Sequence, residues 1–153
     1  MKTLIAYFSV GGTTARVAKD AAAALGADLF EITPEVPYTA ADIRFTNPLA
    51  RCNREKFGNK AVPVTGRIPD FDDYELVLVG FPIWYGCAPN VVNSFCQGYN
   101  WYGKKVAAFA TSGGSGIGKT ADKLRPFVFG GELLDARLVH DGAELEAWAR
   151  DLL

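Results

Sequence analysis

The sequence predicts one doubly wound α/β domain on a five-stranded parallel sheet. Apolar, β-rich runs alternate with runs of helical periodicity five times along the chain, with the second repeat loose. The run ELVLVGF at 75–81 is apolar on both faces, as a strand between two helix layers must be. A chain of 153 residues suits one core, and no repeat, low-complexity tract or linker divides it.

The elements follow in order. KTLIAYF at 2–8 reads as the first strand. In TTARVAKDAAAALG the apolar positions Val17, Ala18, Ala21, Ala22 and Leu25 recur at helical spacing, and Gly26 is a fitting stop. DLFEI at 28–32 reads as the second strand. Between Thr33 and Asp73 the pattern loosens. DIRFTNPLARCNREKF can be helical with a break near Pro48, and GNKAVPVTGRIPDFDD reads as loop because Gly and Pro punctuate it. After the third strand, PNVVNSFC starts a helix with Pro89 in its first turn. KKVAAFAT from Lys104 is the fourth strand. GIGKTADKLRPF puts Ile117, Ala121, Leu124 and Val128 on one helical face. LLDARLV from Leu133 is the fifth strand. DGAELEAWARDLL closes the pattern, with Asp141 and Glu144 at capping spacing and Leu145, Trp148, Ala149 and Leu152 as its apolar stripe.

Composition excludes several function classes. A net charge of -1 gives no reason to expect nucleic acid or an anionic membrane as partner. Cys52, Cys87 and Cys96 are odd in number and unpaired in spacing, which argues against a disulfide scaffold. With one histidine, His140, a Cys/His zinc site is not expected, and no metal site is assigned. No apolar run approaches the roughly 20 residues of a membrane span. MKTLIAYFSV is short for a signal peptide and closes on GGTT rather than a cleavage site, so it reads as a buried strand and the expected location is cytoplasmic.

In doubly wound sheets ligands bind beyond the carboxyl ends of the strands. Three such ends carry chemistry. The first opens SVGGTT: Gly11 and Gly12 permit a tight turn, Ser9, Thr13 and Thr14 supply hydroxyls, and the new helix presents free N–H groups. Such a turn holds an anion without a cationic side chain, although a plain capped turn would look the same. It is not a dinucleotide fingerprint, since the third glycine is missing. The third strand opens GFPIWYGCAP, where Trp84 and Tyr85 are ready to stack on a planar ligand or to fold onto the core. The fourth opens ATSGGSG, small, polar and rich in backbone N–H groups. A phosphate joined to a planar heterocycle asks for all three.

These three motifs, in this order, resemble a flavodoxin. YFSVGGTTARVA is similar to the family's first-turn pattern, with Gly11 where Thr is common and Thr13 where Asn is common; GFPIWYGCAP and FATSGGSGIGK are similar to the loops after the third and fourth strands in one branch. The resemblance runs from residue 2 to about the final helix and is loosest at 34–73. It implies strand order 2-1-3-4-5 and bound FMN. By position, Ser9, Val10, Gly11, Gly12, Thr13 and Thr14 would hold the phosphate. Pro82, Ile83, Trp84, Tyr85 and Gly86 would line one edge or face of the isoalloxazine, and Thr111, Ser112, Gly113, Gly114, Ser115 and Gly116 would meet the ring from the other side. It also implies a peptide beside Gly86 that turns over with the redox state of the ring.

GGSGIGKT, Gly113 to Thr120, also fits the phosphate-binding pattern of nucleotide triphosphatases. Too little chain follows Gly118 for the rest of such a domain, and Asp135 interrupts a strand instead of ending it. Lys119 reads as a solvated residue of a helix's first turn. No side chain is an obvious acid, base or nucleophile, so no catalytic residue is assigned. Cys87 reads as a buried structural thiol, His140 as a surface or packing residue, and Arg44, Arg51, Arg54 and Lys56 as a solvated basic face able to dock an acidic redox partner. The main expectation is a low-potential electron-transfer protein between redox partners, monomeric or weakly dimeric. The alternatives are a small FMN-dependent NAD(P)H oxidoreductase acting on quinones or nitro compounds, for which 34–73 would form a lid or interface, and a binding module without redox work.

Overall fold

A computed structural model describes residues 2–58, 60–112, 114 and 116–153. Five strands form one parallel sheet: β1 (Thr3–Tyr7), β2 (Asp28–Glu31), β3 (Leu76–Pro82), β4 (Lys105–Thr111) and β5 (Glu132–Leu138). Their spatial order is β2-β1-β3-β4-β5, and every neighbouring pair is parallel. The order reverses at β1, so the cleft between the carboxyl ends of β1 and β3 is the topological switch point.

Strand alternation divides the core into two layers. On one face Leu4, Ala6, Val77, Val79, Phe81 and Ala108 pack against α3 (Asn90–Gln97) and the short α4 (Thr120–Leu124). On the other, Ile5, Tyr7, Leu76, Leu78 and Phe109 meet α1 (Thr13–Leu25) and α5 (Gly142–Leu152). Gly80 makes room in this second layer, since a Cβ there would fall 2.0 Å from Phe109 Cζ. The N-terminal run is a buried strand, as its apolar character requires. Asp135 lies inside β5, where the register shifts between Val106 and Ala107, so β5 carries a bulge at Leu134. Asp141 caps α5 by accepting the Glu144 N–H at 2.8 Å.

Segment 34–73 holds more structure than its punctuation suggests. A 3₁₀ turn at Ala41–Ile43 precedes α2 (Arg51–Phe57), and Thr33–Pro34 pairs antiparallel with Val64–Thr65. The helix starts beyond Pro48, which agrees with the expected break. The basic face read from this segment holds for Arg44 and Arg54, which are exposed, and needs correction for Arg51 and Lys56. Arg51 is half-buried, with its Nε 2.8 Å from Glu55 Oε2 and its guanidinium 3.8 Å from the Tyr38 ring centroid. Lys56 is half-buried too and turns inward to Cys87. A helix packed against the domain buries one charged face along with the apolar one, and sequence periodicity does not mark which.

Candidate functional site

A cavity of about 750 Å³ opens at the carboxyl ends of β1, β3 and β4. The structure brings together, along its wall, thirteen of the seventeen residues expected there: Ser9, Val10, Gly11, Thr13, Thr14, Pro82, Ile83, Trp84, Tyr85, Gly86, Thr111, Ser112 and Gly114. Gly12 stands behind them as the N-cap of α1, and Gly116 is exposed outside the lining. Gly113 and Ser115 lie outside the described residues.

The first turn is built from neutral donors. Gly12 takes φ 91° and donates its N–H to Ser9 Oγ at 3.2 Å. Helix α1 makes its first internal bond from Arg16 N to Gly12 O, 3.0 Å, so the N–H groups of Thr13, Thr14 and Ala15 precede the ladder and have no intrahelical acceptor. Their dipoles sum toward the turn. A Cβ at Gly11 would meet nothing within 4 Å, so the space above the turn is open. Thr14 lines the cavity, but its hydroxyl has a partner inside the protein. It is buried, and its hydroxyl oxygen lies 2.6 Å from that of Thr111, tying α1 to the end of β4. Ser9 and Thr13 also line the cavity.

The second wall is a tight hairpin. Trp84 and Cys87 exchange backbone hydrogen bonds of 3.0 and 3.1 Å around Tyr85 and Gly86. Tyr85 has φ 55° and Gly86 φ 74°, the two left-handed positions of a type I′ turn. A tyrosine in that region is strained. Trp84 is held edge-on between Phe8 and Tyr38, at centroid distances of 5.8 and 5.4 Å. Tyr38 in turn donates its hydroxyl to Glu55, the same carboxylate that pairs Arg51. Burial, followed by the Glu55 carboxylate, pushes the Tyr38 phenol far above its ordinary value. Tyr85 is about two-fifths exposed, 5.5 Å from the Phe57 ring, and its phenol is pushed up to about 12, first by burial and then by the Cys52 thiol 3.8 Å away.

GGSGIGKT now has a structural explanation. Gly118 lies against the hairpin, where a Cβ would fall 2.6 Å from Gly86 O and 2.7 Å from Gly86 Cα. The Lys119 N–H donates to Gly86 O at 2.8 Å, and the Thr120 hydroxyl donates to Ile117 O at 2.5 Å. The end of this motif therefore clamps the Tyr85–Gly86 turn from behind. Lys119 itself is exposed and serves as N-cap of α4.

Ile43, Phe45 and Cys52 complete the lining, and sequence reading missed all three. They come from the irregular segment, where no periodicity marks a face; the available signal was two apolar side chains in an otherwise polar stretch. Among the described residues none of the lining side chains is charged. The cavity thus offers backbone and hydroxyl donors at one end, aromatic and aliphatic surface along the middle and a small polar loop opposite. That donor set fits a molecule with a phosphate at one end and a flat ring system at the other.

Known proteins bear on the same point. A family model for flavodoxin matches residues 2–152. A Bacteroides eggerthii protein assigned as a flavoprotein is 37% identical, with 98% of this chain and 96% of that one covered and a TM-score of 0.90. A similar assignment in Bacteroides uniformis is 34% identical, with 97% of each chain covered and a TM-score of 0.89. A Lactobacillus acidophilus flavoprotein solved in complex with FMN shares the fold at 23% identity, covering 97% of this chain and 98% of its own, with a TM-score of 0.75. No curated protein matches the chain. Matched over nearly its whole length, the chain belongs to the flavodoxin family.

Proposed function

We propose that the protein holds FMN in this cavity and passes electrons between redox partners. Family membership and the fold neighbour in complex with FMN both support the cofactor. The observation that carries the reading is the uncharged wall joining the α1 turn to the Trp84–Cys87 hairpin. The N–H groups of Thr13, Thr14 and Ala15, with the Ser9 and Thr13 hydroxyls, bind the phosphate. Trp84, Tyr85 and Ile83 exclude water from the ring, and backbone groups of Tyr85–Gly86 and Ser112 orient its edge. Bound there, FMN supplies one- and two-electron redox chemistry. A site without a cationic side chain disfavours added negative charge, so it lowers the reduction potential below that of free FMN.

A second reading is a small FMN-dependent NAD(P)H oxidoreductase, favoured by one observation. Ile43 and Phe45 extend the apolar wall beyond the three loops, and Phe45 is exposed at its rim. An apolar acceptor such as a quinone or nitroaromatic would find surface there. Anaerobic stopped-flow mixing of the FMN-loaded protein with NADPH separates the two. A carrier bleaches slowly and without saturation; rapid bleaching that saturates with NADPH overturns the carrier reading.

A further inference from the structure

We propose that Lys56 and Cys87 form an oxidative cross-link, an N–O–S bridge from Nζ to Sγ that fastens helix α2 to the hairpin of the cavity wall. Lys56 Nζ lies 2.5 Å from Cys87 Sγ. An N–H donor stands farther from an atom as large as sulfur in an ordinary hydrogen bond; this separation is close to the span of two single bonds meeting at one oxygen. The pairing is also chemically unusual. The Glu55 carboxylate next to Lys56 is taken by Arg51 and Tyr38, and among the described residues no carboxylate pairs with Lys56. Its amine is directed at a buried thiol instead. Beside the pair is a pocket of about 10 Å³, lined by Cys52, Glu55, Lys56, Trp84, Pro89 and Asn90, space on the order of one water molecule.

The oxidant is hydrogen peroxide. The Cys87 sulfur attacks one peroxide: an S–O bond forms, the O–O bond breaks, and water leaves behind a sulfenic acid. The free Lys56 amine attacks a second peroxide in the same way, giving a hydroxylamine and water. The hydroxylamine oxygen then displaces the hydroxyl from sulfur, and a third water leaves. Sulfur and nitrogen each lose two electrons, and the two peroxides take up all four. The bridge holds α2, and with it Cys52 on the cavity wall, against the hairpin, so oxidation would stiffen the site.

The test is intact mass and peptide mapping of the purified full-length protein, incubated with hydrogen peroxide at mildly alkaline pH and then with dithiothreitol. The mass reads the bridge whether or not FMN is bound, so this result stands apart from the proposed function. The expected result is a gain of one oxygen less two hydrogens, a linked peptide whose fragments place the bond at Lys56 and Cys87, and return to the starting mass on reduction. Lys56→Met should abolish the linked peptide, and Cys52→Ser should keep it. A loss of two hydrogens, which marks a disulfide or a direct S–N bond, would overturn the proposal. So would oxidised Cys87 without a linked peptide, no change in mass, or the same linked species from Lys56→Met.

Discussion

Tyr85 is the one described residue other than glycine with a positive φ. Left-handed backbone costs a tyrosine about 1–2 kcal/mol, and packing against Phe57 and Cys52 still leaves its ring about two-fifths exposed. Under the proposed function its ring gains a partner in the bound flavin. Tyr85→Asn should leave the stability of the ligand-free protein within about 1 kcal/mol of wild type, because asparagine tolerates the left-handed region. The same change should weaken FMN binding about two- to tenfold, the worth of an aromatic contact of about 0.5–1.5 kcal/mol. A thermal melt and a flavin titration check both halves. Gly118 acts from behind the turn. Gly118→Ala would drive a Cβ into the Gly86 backbone. A loss of about 1–3 kcal/mol is expected from overpacking, read as a lower urea midpoint; an unchanged midpoint would mean the two loops do not pack as described. Gly86→Ala should alter the separation of the two one-electron reduction potentials of the bound flavin, measured by spectroelectrochemistry, since a side chain there resists a turning peptide.

At the scale of elements, strands and long helices were legible because each carries its own period. Strand β3 is apolar on both faces, and α5 announces itself by cap and stripe. Segment 34–73 was not legible. Its short helix, 3₁₀ turn and two-residue strand pair are held by tertiary contacts: the Arg51–Glu55–Tyr38 cluster, and the Asn90 side chain donating to Glu55 O and Lys60 O at 2.9 and 2.8 Å. Of these only the Arg51–Glu55 pair, at i and i+4, leaves a local pattern; the contacts of Tyr38 and Asn90 join residues far apart in the chain. The same gap hid Ile43, Phe45 and Cys52 from the site, while the three glycine-punctuated loops were readable because turn chemistry is local. Sheet edges give a pH prediction. Tyr74, at the entry to β3, donates to Asp28 Oδ2 at 2.6 Å on the edge strand β2. Burial and then this bond push its phenol from 10.0 up to about 12. The neutral phenol is favoured in the folded state, so its stabilisation is full below pH 10 and is lost as pH rises toward 12. Tyr74→Phe should flatten part of the alkaline fall in urea midpoint across that window. An equally steep fall would show that Tyr74 does not contribute to it; Tyr7, Tyr38, Tyr85 and Cys96 are raised too and add to the fall.

For the whole molecule, the sheet order fixes where chemistry can occur. Reversal at β1 opens a cleft, α1 points its N-terminus into it, and the loops after β3 and β4 close on one another through Gly86 and Gly118. The charge balance of the chain is close to neutral, so long-range steering toward a partner is weak. The proposed carrier would then depend on short-range fit at the rim, and its electron-transfer rates should vary little with salt. The account rests above all on the cavity holding FMN. The most direct measurement is a titration of the purified, flavin-stripped protein with FMN, followed by flavin fluorescence and by visible absorption. Quenched fluorescence, shifted absorption bands and one site saturating at micromolar FMN or below are predicted, with riboflavin binding more weakly because the α1 turn then has no phosphate to hold. Unquenched, unshifted FMN at micromolar protein would contradict the account.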